Sequence, residues 1–155
     1  MKFNHGLPAN LSGSDGPGAC LNHGFKAVQI GASSWTAEAL KLTMPATSFS
    51  RSTECHNQDK VSMGTTAARD ALRVLELTEQ VAAAGLLASC QAVELRLARD
   101  GRDIHSLPPA LRDTLLAVRE DSAHVNEDRA LEPELRQLLS RIRQQHWSLY
   151  ADPSE

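Results

Sequence analysis

The sequence predicts an all-α fold, with one long core helix and shorter helices beside it. Three observations lead there. Residues 65–99 hold no proline and one glycine, Gly85, and are dominated by Ala, Leu, Glu, Arg and Gln, all good helix formers. Apolar residues recur at three- and four-residue spacing in this run and in two later segments. Aromatic residues make up only 4% of the chain, with none in 50–146, which leaves an aliphatic Leu/Ala core. The same gap excludes a base-stacking platform or an aromatic ligand cage in that stretch.

In order along the chain, residues 1–21 read as a loop segment and 22–155 as the helical part. Gly6-Leu7-Pro8 and Gly16-Pro17-Gly18 are turn signals. Asn22 is a candidate N-cap for a first helix over 22–43, weakened by Gly24 and Gly31 and stopped before Pro45. The Ser/Thr-rich residues 47–53 are expected to be extended or irregular. The long helix over 65–99 closes at Asp100-Gly101, with glycine just past its end. Ser106 can cap a third helix, which tolerates Pro108 and Pro109 in its first turn and lines up Leu111, Leu115 and Val118. A fourth helix starts near Asp128. It carries Leu131, Leu135, Leu138, Leu139 and Ile142 on one face and Arg136, Gln137, Arg141, Gln144 and Gln145 on the other.

The long helix is too much for this chain to cover. A helix of about 35 residues is about 52 Å long, whereas a compact chain of this size is about 40 Å across. Leu86, Cys90, Val93 and Leu97 make one apolar stripe; Val74, Leu77, Val81 and Ala84 make another, with Leu75, Leu87 and Leu95 between them. A helix apolar nearly all round should be buried nearly all round. The expectation is therefore a piece of a larger helical bundle, with partner helices from other subunits or another polypeptide. The alternative is a break at Gly85 that folds the run into an antiparallel hairpin and a self-contained bundle.

Charge and cysteines bound the function. Sixteen basic and nineteen acidic residues give −3 and a pI near 6.1. Residues 1–64 carry five basic and four acidic groups (+1); the rest carries eleven arginines and fifteen acids (−4) and no lysine. That argues against nucleic acid as partner. Cys20, Cys55 and Cys90 are odd in number and form no paired motif, as expected for free thiols in a reducing, cytoplasmic setting. The first residues do not read as a secretory leader. The apolar stretch over 81–93 is shorter than the roughly 20 residues a bilayer span needs, so no membrane partner is expected.

The densest polar cluster is Ser50-Arg51-Ser52-Thr53-Glu54-Cys55-His56-Asn57-Gln58-Asp59-Lys60, just before the long helix. Adjacent Glu54, Cys55 and His56 cannot readily converge on one tetrahedral ion, and no second ligand pair has zinc spacing, so no metal site is expected. A Cys–His dyad needs spatial rather than sequential adjacency. Glu54 and Gln58 stand four apart and would share a face if the segment were helical. A carboxylate and a carboxamide so placed can hold an ammonium and a polar oxygen. The competing reading is a solvated loop that caps the next helix.

The segment Asn57-Gln58-Asp59-Lys60-Val61-Ser62-Met63-Gly64-Thr65, followed by Ala67-Ala68-Arg69-Asp70, closely resembles the aromatic amino acid lyase family. These are the ammonia-lyases and 2,3-aminomutases that use a methylidene-imidazolone electrophile (MIO). Gly6-Leu7-Pro8-Ala9-Asn10-Leu11-Ser12-Gly13 resembles the family's loop of GLP-x-x-L-S-G type, and Asn22-His23-Gly24-Phe25-Lys26 the start of its next helix. Leu42-Thr43-Met44-Pro45-Ala46 and residues 50–59 look most like the bacterial tyrosine and phenylalanine branch rather than the histidine enzymes. Leu77-Thr78-Glu79-Gln80-Val81 and Gln91-Ala92-Val93-Glu94-Leu95-Arg96 also fit, and the resemblance thins after Gly101.

The resemblance implies a mechanism and a set of roles. In the family the electrophile captures the substrate's amine or ring, a tyrosine removes the β-proton, and ammonia leaves or is re-added at the β-carbon. Glu54 and Gln58 match positions that line the pocket near the substrate amine and the electrophile, with His56 and Asn57 supporting them. The family assembles as a long-helix tetramer whose sites combine several subunits. Its electrophile forms from Ala-Ser-Gly, which does not occur in these 155 residues; Ala32-Ser33-Ser34 and Ala88-Ser89-Cys90 are nearest, and both fall in expected helix. The single tyrosine, Tyr150, is no match for the catalytic tyrosine, and nothing matches the arginine that holds the substrate carboxylate. The resemblance therefore implies the family's C-terminal portion, with MIO supplied by a missing N-terminal part. Such a chain is expected to be inactive alone, and to act on an aromatic amino acid only when complemented, as a homo-oligomer or with an N-terminal half or full-length lyase subunits. The alternative is a catalytically dead helical oligomerisation protein derived from the family.

Overall fold

The computed structural model describes residues 4–14 and 16–147; Phe3 and Tyr150 lie outside the described residues. Four α-helices follow in order: α1 (Lys26–Lys41), α2 (Gly64–Arg99), α3 (Pro109–Asp121) and α4 (Glu132–Arg143). Short 3-10 turns occur at Ala9–Leu11, Gly16–Leu21, Ala46–Phe49 and Ile104–Ser106. Among the described residues the only β-type pairing is one isolated bridge, Thr53 with Gln58. The fold is all-α, as the sequence predicts.

α2 runs unbroken for 36 residues, about 54 Å of helix. Gly85 lies inside it, so the hairpin alternative does not occur. A lone interior glycine costs only about 1 kcal/mol relative to alanine, and neither Ala84 nor Leu86 offers a turn. The Ser62 hydroxyl accepts from the Gly64 N–H (3.3 Å) at the helix start. At the other end Arg102 N–H donates to Leu97 O (2.9 Å) and Gly101 N–H to Ala98 O (3.3 Å), with Gly101 at φ +61°. This left-handed glycine cap is the stop the sequence signals.

Three helix starts differ from the sequence expectation. α1 begins at Lys26 rather than Asn22, because Gly24 turns the chain with φ +54°, where an added Cβ would stand 2.6 Å from Asn10 O. Asn22 caps nothing there; its Oδ1 accepts from Asp128 N–H (2.7 Å). α3 begins at Pro109 without a side-chain cap, because the Ser106 hydroxyl is spent on Asp103 O (2.6 Å), closing the preceding 3-10 turn. α4 begins at Glu132, with Pro133 in its first turn, because the Asp128 carboxylate is engaged elsewhere, accepting from His23 N–H and Gly24 N–H (both 2.9 Å). Residues 46–49 form a 3-10 turn rather than irregular chain.

The chain falls into two compact units, residues 1–30 with 82–155, and residues 31–81. In the first, Phe25, Ala83, Leu87, Cys90, Leu115, Val118, Val125, Leu131 and Leu138 form one buried cluster. Leu87, Val118 and Leu138 are fully buried, each contributing about 1.5–3 kcal/mol. In the second unit Leu77 is fully buried, and Arg73 Nε pairs with Glu38 Oε1 (2.8 Å) across α2 and α1. Leu40, Met44, Phe49, Leu72 and Leu75 of this unit are more than half exposed. By length and composition alone α2 is apolar enough to cross a bilayer, a criterion that the shorter 81–93 run had not met. A buried core helix of a soluble protein passes the same test.

Candidate functional site

The polar cluster before α2 is built from its base upward. Ser50, 4% exposed, donates its hydroxyl to Val61 O (2.8 Å) and accepts from Val61 N–H (2.9 Å). Those two bonds pin the ends of the segment together. Above them the chain makes a tight hairpin: Thr53 N–H donates to Gln58 O (3.0 Å), Gln58 N–H to Thr53 O (3.3 Å) and Asn57 N–H to Glu54 O (3.0 Å). Glu54, Cys55 and His56 turn it with φ of +51°, +53° and +70°.

The segment is therefore not helical, and Glu54 and Gln58 do not meet as helical i, i+4 neighbours. The hairpin instead places them on either side of one turn, with Gln58 bridged to Thr53 rather than to Glu54. The Glu54 carboxylate accepts from Asn57 Nδ2 through Oε2 (3.3 Å), and Thr53 Oγ1 donates to Gln58 Oε1 (3.3 Å). His56 Nδ1 pairs with the Ser52 hydroxyl (2.9 Å). Residues 51–60 are all exposed. Glu54 Oε1 and Gln58 Nε2 carry no hydrogen bond among the described residues. An anionic acceptor and an amide donor thus stand open on one turn, a combination suited to an ammonium beside a polar oxygen.

No group of three His, Cys, Asp or Glu side chains among the described residues could hold a metal ion. Ala32-Ser33-Ser34 lies within α1 and Ala88-Ser89-Cys90 within α2, and neither ends in glycine. A helical turn cannot fold its third residue's amide nitrogen onto the first residue's carbonyl.

A second polar network lies in the other unit and was not singled out from the sequence. Gln91 is fully buried: its Oε1 accepts from Val125 N–H (3.1 Å), and its Nε2 reaches Val125 O (3.0 Å), Leu11 O (3.1 Å) and His124 Nε2 (3.2 Å). His124 Nδ1 meets Glu94 Oε2 (2.6 Å), and Arg119 clasps the same carboxylate with two bonds (2.9 and 2.7 Å). Burial alone would raise the Glu94 carboxyl, but the hydrogen bonds from Arg119 and His124 outweigh it and hold the group below the usual carboxylate range. Burial pushes the neighbouring Cys90 thiol up. The signal that could have found this network is Gln91 itself, a carboxamide inside the apolar run 81–93. Through Leu11 and Val125 it fastens the 6–13 loop to the chain after α3.

The comparisons with known proteins agree with one another. The family model for aromatic amino acid lyases matches residues 1–120. Histidine ammonia-lyase of Caenorhabditis elegans is 39% identical over 139 residues, 90% of this chain and 19% of that protein. Tyrosine ammonia-lyase of Cupriavidus metallidurans is 36% identical over 142 residues, 92% of this chain and 25% of that protein. Among solved structures, tyrosine aminomutase from Streptomyces globisporus superposes with a TM-score of 0.76 at 32% identity, covering 91% of this chain and 25% of that one. The chain thus spans about a fifth to a quarter of the length of the relatives it matches. With the Ser50–Lys60 segment, the long α2 and these matches in hand, the chain belongs to the aromatic amino acid lyase family.

Proposed function

We propose that this chain supplies the C-terminal part of an ammonia-lyase or aminomutase site acting on an aromatic amino acid. The observation that carries this is the hairpin at residues 53–58, which holds Glu54 and Gln58 on one turn with one open acceptor and one open donor. In this reading Glu54 accepts from the substrate ammonium and Gln58 donates to a polar oxygen nearby. Asn57 orients the Glu54 carboxylate, and His56, tied to Ser52, braces the turn. The MIO electrophile and the catalytic tyrosine come from residues outside this sequence, so the chain is inactive until complemented. The exposed Leu40, Met44, Phe49, Leu72 and Leu75 support association with further copies or with lyase subunits that cover them. Free thiols at Cys20, Cys55 and Cys90 support a reducing, cytoplasmic location.

The test is a reconstituted assembly of this chain with the N-terminal part of a family lyase. Glu54→Gln removes a charge-assisted hydrogen bond of about 1.5–3 kcal/mol, so turnover should fall about tenfold to hundredfold while the melting temperature stays unchanged. Unchanged turnover would remove Glu54 from the site. Association without any turnover would instead favour a dead oligomerisation protein, the reading prompted by the absent Ala-Ser-Gly.

A further inference from the structure

Three consecutive residues other than glycine, Glu54, Cys55 and His56, lie in the left-handed region of backbone space. Such residues normally occur singly, because there the Cβ crowds the following carbonyl oxygen. A strained run persists only where its surroundings over-determine it. Here those surroundings are local. They are the Thr53–Gln58 main-chain pair, the Asn57-to-Glu54 bond and the side-chain bonds Ser52–His56, Thr53–Gln58 and Asn57–Glu54. Every residue from 51 to 60 is exposed, so no packed core backs the turn and water competes for each bond.

We propose that this hairpin is a two-state clamp. In the closed, strained state Glu54 and Gln58 stand on the two sides of one turn. In the open state residues 54–56 relax to ordinary backbone, the Thr53–Gln58 bridge breaks and the two side chains part. A small ligand whose ammonium meets Glu54 and whose polar oxygen meets Gln58 binds the closed state better and shifts the population toward it. The clamp takes from the proposed function only the use of Glu54 and Gln58. The residue that reports on it is Cys55, which is exposed and whose thiol has no hydrogen-bond partner among the described residues. Its backbone angle opposes closure and its side chain returns nothing.

The experiment compares Cys55→Gly, Cys55→Ala and Cys55→Val in the 155-residue chain by hydrogen exchange at the Thr53, Asn57 and Gln58 amides. Glycine adopts positive φ as readily as negative, though its extra freedom in the open state offsets part of the gain. Exchange in C55G should therefore be about threefold to tenfold slower than in C55A. C55V, β-branched, should exchange faster than C55A. Amides of α2 near Leu87 should be unchanged in all three. Exchange in C55G as fast as in C55A, or unprotected amides in every variant, would overturn the clamp. The readout needs no turnover, so an inactive or unaffected Glu54→Gln assembly bears on the lyase reading and leaves this one standing.

Discussion

Gln91 shows what one buried side chain does for the neighbouring backbone. Its carboxamide satisfies Val125 N–H, Val125 O and Leu11 O at once, in a place water does not reach. Gln91→Ala leaves those groups unpaired, and each buried unpaired group costs about 1–3 kcal/mol. A total loss of about 2–4 kcal/mol is expected, allowing for partial relaxation; the midpoint of urea unfolding measures it. A change under about 0.5 kcal/mol would show that the network is not formed. The sequence displayed Gln91 as a polar residue on an apolar run, but its partners Leu11, His124 and Val125 are 33 to 80 positions away, beyond any periodic pattern. Glu54 and Gln58 differ in this respect, since their partners Asn57 and Thr53 are at most five residues off. Their geometry was not legible, because nothing in Glu54-Cys55-His56 advertises a left-handed run.

At the scale of the element, length and composition were enough for α2 and less than enough for the helix starts. A run of strong helix formers with a glycine cap specifies itself locally. The starts of α1, α3 and α4 shift because Asn22, Ser106 and Asp128, all plausible caps, are taken by other contacts. Gly85 gives the direct test of α2. It is exposed, and an added Cβ meets nothing within 4 Å. Gly85→Ala should therefore stabilise the chain by about 0.5–1 kcal/mol, raising its melting temperature by about 1–4 °C. A lower melting temperature would mean that the helix breaks there after all.

For the whole molecule two consequences follow. Glu94, Glu134 and Asp128 all have carboxyl groups held below their ordinary range. For Asp128 the cause is backbone hydrogen bonding from His23; for Glu94 and Glu134 bonds from arginine and a neighbouring His124 or Ser122 overcome burial. On acidification the unfolded chain takes up protons first, so the stability these groups contribute is present above about pH 4 and lost below it. The melting temperature should be flat between about pH 8 and 6 and fall steeply below about 4; Glu94→Gln should flatten that fall. The exposed apolar side chains on α1 and α2 predict association, since each covered Leu recovers about 1.5–3 kcal/mol. A monomer by light scattering at high concentration would contradict that.

The most direct measurement is aryl-acrylate release, followed by ultraviolet absorbance. Tyrosine, phenylalanine and histidine are offered to this chain alone, and to this chain assembled with the N-terminal part of a family lyase. No release is expected from the chain alone, whereas release from the assembly should fall sharply with Glu54→Gln. Release by the isolated chain, or an assembly indifferent to Glu54, would contradict the proposed function.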